Sequence, residues 1–179
     1  MSTDRHPMTR RIRLGAAAVI ALIIATTGAA QAEGNAHRVP VHNTPIDLPA
    51  DICGFPIHLG VVYDREWVEQ TDNPDGSTTM RVAGPLINSL TNMNTGATIT
   101  YDNGGPGTLT RYPDGHVTFD FRGHSMAWIR AEHQARLAKP ALRLTVGHVV
   151  GTQDTSGNIV ELSSTGRTVD GCALLSGHR

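Results

Sequence analysis

From Cys53 onward the chain alternates. Cys53, Phe55, Ile57, Leu59, Val61 and Tyr63 are all odd-numbered, while Pro56, His58 and Asp64 take the other parity. A period of two puts the apolar set on one face of a strand and the polar set on the other. Pro56 lacks a backbone donor, so this strand is expected to have an edge or bulge there. The same alternation recurs in Ala97/Ile99/Tyr101, Val117/Phe119/Phe121 and Leu142/Leu144/Val146. Between these runs stand the turn sequences "DNPDG" (72–76), "GP" (84–85), "NMNTG" (92–96), "NGGPG" (103–107), "PDG" (113–115), "DTSG" (154–157) and "TG" (165–166). Their Gly, Asn and Asp residues supply the positive-φ positions of tight hairpins. Short strands with a turn between each predict an all-β domain. We expect about eight antiparallel strands in a closed or nearly closed barrel, with a β-sandwich as the alternative and at most one short helix. The helical candidate is "MAWIRAEHQARLAK" (126–139), read as a helix or as a strand followed by a helical turn, with Pro140 ending it.

The first 50 residues break this pattern. Arg5, Arg10, Arg11 and Arg13 precede an uncharged run from Leu14 to Ala30, and "AQA" at 30–32 offers a small-residue cleavage site. That order predicts a cleaved signal peptide over 1–32 rather than a stable membrane anchor. "TRRIRL" half-matches a twin-arginine signal, but Arg13 stands where that signal prefers an apolar residue. Residues 33–50 carry Pro40, Pro45 and Pro49 and are expected to be an extended leader, loose to about Asn43 and packed through Ile46 and Leu48. Residues 51–179 then form a single β-domain, and the expected location is secreted or extracytoplasmic.

Charge narrows the partners. The whole chain has 15 Lys+Arg and 16 Asp+Glu; without residues 1–32 the balance is 11 against 15, a net charge of −4. With Lys139 the only lysine, neither a nucleic-acid partner nor a polybasic membrane patch is expected.

Cysteine count adds a covalent expectation. Cys53 and Cys172 are the only two, and an exported chain meets an oxidising compartment. A disulfide between them is the simplest pairing. It would close most of the domain into one loop and bring its two ends together, in a closing barrel or across a sandwich. Cys172 and Leu174 are read as the inside face of a last strand.

Candidate chemistry is sparse. Eight histidines follow residue 32, yet no HExxH or Cys/His quartet is present, and no metal or other cofactor is expected. The best local set is His116, Asp120, Arg122 and His124 in "HVTFDFRGHS". Their shared even parity makes them a candidate ligand face opposite Val117, Phe119 and Phe121. "GGPG" lacks the Lys-Ser/Thr of a phosphate loop, no GxSxG is present, and no catalytic residue is assigned.

Four pieces in order, "DICGFPIHL", "LTNMNTGATITY" with "GPGT", "YPDGHVTFDFRGHS" and "STGRTVDGCALL", resemble small exported actinobacterial proteins of unknown function. The resemblance implies a compact β-domain with its two cysteines paired and carries no activity. The expected function is a non-enzymatic extracytoplasmic binding or interaction module, its partner a small ligand or a cell-wall component. The alternative is a hydrolase or cyclase-like enzyme working in a barrel cavity.

Overall fold

The computed structural model describes residues 38–137 and 140–177; the signal peptide expected over 1–32 lies outside them. The all-β expectation holds. Eleven strands form two antiparallel sheets, more than the eight expected because β1, β2 and the hairpin strands are short. Neither sheet closes on itself, so the architecture is the sandwich and not the barrel.

The seven-stranded sheet runs β1 (Arg38–Pro40), β4 (Trp67–Asp72), β5 (Thr78–Ala83), β8 (Gly107–Arg111), β9 (Val117–Trp128), β10 (Leu142–Gln153) and β11 (Ile159–Asp170) in spatial order. The four-stranded sheet runs β2 (Ile46–Leu48), β3 (Ile57–Asp64), β6 (Leu86–Asn92) and β7 (Thr98–Asp102). Residues 38–48, read from their prolines as a leader, therefore contribute a strand to each sheet.

The chain passes from one sheet to the other four times, at 41–45, 65–66, 84–85 and 103–106. These crossings lie against one another in a seam. Val41 N–H donates to the Glu66 carbonyl at 2.9 Å, Arg65 N–H to Pro85 at 3.0 Å, Asn103 N–H to Leu86 at 2.8 Å and Arg122 N–H to Pro106 at 2.9 Å. A sheet ladder stops wherever the chain changes sheet, so the freed backbone groups need these partners. Close stacking requires glycine: a Cβ on Gly84 would sit 2.4 Å from the Arg65 carbonyl oxygen, and one on Gly104 would sit 2.8 Å from that of Gly84. "GP" and "NGGPG", which read as hairpin turns, are these sheet-to-sheet crossings.

The long strands bend at the same level. Gly123, Gly147 and Gly166 are register partners across β9, β10 and β11. Gly123 has φ +91°, and a Cβ on Gly147 would fall 2.0 Å from the Thr165 carbonyl oxygen. Glycine inside a strand marks a bend or a close approach of backbones. On β9 the side chains facing the inter-sheet space are Val117 and Phe121 before the glycine, and His124, Met126 and Trp128 after it. The parity has changed.

Beyond the bend, the main core fills the space between the sheets. Leu48, Ile57, Leu90, Leu142 and Leu175 are fully buried there, with Leu59, Met126 and Trp128 against them. At this end α2 (Gly171–Ser176) replaces the last strand expected around Cys172. Asp170 caps it by accepting from the Cys172 and Ala173 amides, and Gly177 closes it at φ 75°. A helical turn buries every third or fourth residue, so Leu175 enters the core and Leu174 is exposed, the reverse of the strand reading.

The expected disulfide is present. Cys53, in the loop between β2 and β3, is bonded to Cys172 on α2, with Cα atoms 5.3 Å apart. It ties the four-stranded sheet to the element after β11, so the chain ends meet across a sandwich and not as neighbouring strands. Asn92 strengthens the same corner by donating to the Leu175 carbonyl at 3.2 Å.

The second helix is α1 (Ala131–Leu137), two residues after β9 ends at Trp128; the stretch from 126 is thus strand, then helix, with 138–139 outside the described residues. Strand β3 starts at Ile57, one residue past Pro56, so the proline is spared from the ladder. The odd-parity face holds through Leu59, but the register shifts between Val61 and Tyr63 and leaves Tyr63 40 % exposed.

Candidate functional site

The inter-sheet space is filled at the α2 end and hollow at the seam. A cavity of about 180 Å³ lies there, walled by Leu59, Val61, Met80, Val82, Leu109, Val117, Phe121, Met126 and Trp128. Its volume slightly exceeds that of an engineered cavity of about 150 Å³ that takes up benzene. Its polar members are Asn43, Thr44, Glu66, Asn88, Asn103, His124 and Ser125, with Arg111 and Gln153 contributed by the strand ends farther along β8 and β10.

Several of the polar groups stand on crossings. Asn43, between β1 and β2, donates its side-chain amide to Glu66 Oε2 at 2.9 Å and to Asp64 Oδ2 at 3.2 Å, and its backbone amide to Asp64 Oδ2 at 2.8 Å. The first crossing is thereby strapped over the cavity. Glu66, on the second, is 9 % exposed. Burial pushes its carboxyl up from 4.5 to about 7; the bond from Asn43 lowers it and the nearby Asp64 carboxylate raises it further. Among the described residues no Lys, Arg or His forms an ion pair with Glu66. Asn103, on the fourth crossing, donates to Asn88 Oδ1 at 3.2 Å, and the buried Asn88 donates to the Gly60 carbonyl at 3.0 Å. His124 Nδ1 lies 3.0 Å from Asp102 Oδ2. Beside it, Tyr101 donates to the carbonyls of Ser125 and Thr145, and burial raises its hydroxyl above the usual tyrosine value.

The structure divides the even-numbered set of β9. His116 sits at the 113–115 turn, paired with Asp114 and stacked on the Tyr112 ring at 4.2 Å. Asp120 and Arg122 stay together on the outer face, with Arg122 Nε 3.8 Å from Asp120 Oδ1. There His148 Nε2, not singled out from the sequence, lies 2.9 Å from the same Asp120 oxygen. His124 alone reaches the cavity, because Gly123 reverses the parity of the strand. The glycine in "FRGHS" is the sequence signal for that reversal. Asn43 gave no such signal, and nothing in the sequence sets Glu66 apart from Glu69 and Glu161 as a candidate carboxylate.

The outer face of the seven-stranded sheet holds a larger, open depression of about 540 Å³, lined by Thr108, Thr110, Thr118, Asp120, Thr152 and Glu161 among others. Thr71, Thr79, Thr110, Thr118 and Thr152 are successive register partners across it. It holds no buried ionisable group, whereas the inter-sheet cavity joins apolar walls to a desolvated carboxyl, the usual make-up of a small-molecule site. Among the described residues no group of three His, Cys, Asp or Glu is placed to hold a metal ion, and no helix is long and apolar enough to cross a membrane.

The chain matches no protein-family model, and no curated protein or solved structure resembles it at a significant level.

Proposed function

We propose that this chain is an exported binding module whose inter-sheet cavity takes one small, mainly apolar molecule with a single polar head. The observation that carries this reading is the cavity itself: aliphatic and aromatic walls with polar groups gathered at the seam. An apolar body gains from leaving water, and a few placed polar groups fix which end enters first. Export is supported by the sequence of residues 1–32 and by the disulfide.

The enzyme alternative draws support from one group. A carboxyl at about 7 suits a general acid or base at neutral pH, and Glu66 lines the cavity. Binding is preferred because no serine, threonine or histidine among the described residues is hydrogen-bonded to the Glu66 carboxyl, whose one side-chain partner is Asn43.

Calorimetric titration of the full chain with benzyl alcohol tests the proposal. The expected result is saturable one-to-one binding that is lost in Val82→Phe, where added bulk fills the cavity. Absence of binding to the unmodified protein, or unchanged binding in a folded Val82→Phe, would overturn it.

A further inference from the structure

The seam end of the cavity has the electrostatics of a cation site. Glu66, on the second crossing, lines it, with Asp64 and Asp102 beside it at the ends of β3 and β7. The charged groups facing them are few. His124 is held at Asp102, and Arg65 turns outward, its guanidinium 5.6 Å from the Tyr63 ring centroid. Arg111, the cavity's one arginine, belongs to the far end of β8. Glu66 takes a hydrogen bond from Asn43 on Oε2, and among the described residues none is donated to Oε1. Asn103 spends its amide hydrogens on Asn88, and its own carbonyl oxygen accepts from no described residue. Two acceptors without a described donor thus line the seam end of an apolar chamber. Phe121, two residues before Gly123 on β9, lines the same cavity, and the π-face of an aromatic ring attracts a cation.

We infer that the ligand of this cavity is a small organic amine, an ammonium head on an aromatic or branched aliphatic body, with the head seated at Glu66 and the Asn103 carbonyl. This rests on the cavity reading above and specifies it. Burying a carboxylate without a counter-ion is costly, and an ammonium of matching reach supplies the missing charge. The protonated carboxyl holds no such advantage. Binding below about pH 7 must therefore expel the Glu66 proton to solvent as the ammonium enters, leaving a carboxylate–ammonium pair.

Benzylamine and benzyl alcohol have nearly the same size and differ in charge, so the pair isolates the head group. In calorimetric titrations of the full chain at pH 8, benzylamine should bind about tenfold or more tightly than benzyl alcohol, a charge-assisted bond against a neutral one. The preference should shrink as pH falls from 8 to 6, with proton release seen as a heat that depends on the buffer. Glu66→Gln should abolish the preference for benzylamine. If Glu66→Gln fails to fold, the pH series on the unmodified protein decides alone. Benzyl alcohol bound as well as or better than benzylamine at pH 8 overturns the amine inference and leaves the cavity reading standing. Failure of both probes to bind overturns the cavity reading as well.

Discussion

The two ends of the inter-sheet space use the same sheets for opposite purposes. At the α2 end the gap is packed solid: Leu48, Ile57, Leu90, Leu142 and Leu175 have no exposed surface, and the disulfide and the Asn92 bond lock the corner. At the seam end the gap is left open, and polar groups intrude into it. The cause lies in the topology. Where the chain stays in one sheet, every backbone group is met by its neighbour and side chains can be wholly apolar. Where it changes sheet four times at one level, carbonyls and amides lose ladder partners; Asp64 accepts from the Asn43 and Glu66 amides, and Asn88 donates to the Gly60 carbonyl. A hollow seam and a staple at the other end therefore divide the molecule: one end is packed for stability and the other leaves space.

Loss of the staple should have the largest effect. The cysteines are 119 residues apart, and a loop of that size is worth roughly 5 kcal/mol in chain entropy as an upper figure. The Cys53→Ser/Cys172→Ser protein should melt about 10 °C or more lower in calorimetry. A change of a degree or two would mean the packed end holds without its bond. Next, Leu175→Ala deletes a fully buried side chain where α2 plugs the core and should cost about 3 kcal/mol in denaturant unfolding. A value below about 1 kcal/mol would mean this end is looser than the burial indicates.

The seam end should respond to pH. Glu66 holds its proton more tightly folded than unfolded, so the folded state is favoured while the group is protonated. That advantage is complete below the ordinary value of 4.5 and is lost as pH rises toward about 7. Melting temperature should fall with pH across that window in the unmodified protein, and Glu66→Gln should remove this component. An identical pH profile in the two proteins would contradict the buried carboxyl. The smallest effect is expected for Asn43→Ala, about 1 kcal/mol from the two lost side-chain bonds, the backbone bond to Asp64 being kept. Because the Asn43 bond lowers the Glu66 value, its loss should also move the pH midpoint upward. A downward movement would show that the bond favours the protonated carboxyl.

Much of the packed end was legible in the chain. Period-two runs such as Val117/Phe119/Phe121 gave strands with the right buried face, and the two cysteines paired as their isolation predicts. Cys172 was placed on a strand because "CALL" is too short for a helical period to show, although Asp170 before it and Gly177 after it are a cap and a stop. The hollow end was far less legible. "GP" and "NGGPG" carry turn chemistry whether the chain reverses within a sheet or crosses to another, and only the pairing partners decide which. The face assigned to His116, Asp120, Arg122 and His124 assumed a parity carried through Gly123. A glycine at φ +91° does not carry it, so His124 enters the cavity while Asp120 and Arg122 stay outside with His148.

The contrast between the two ends is tested most directly by methyl and methionine NMR shifts of the full chain titrated with benzyl alcohol. The account predicts saturable shifts at Val82, Leu109, Val117, Met80 and Met126, with Ile57, Leu90 and Leu175 unmoved. Shifts centred on Leu175 and Leu90, or none at the seam residues, would contradict it.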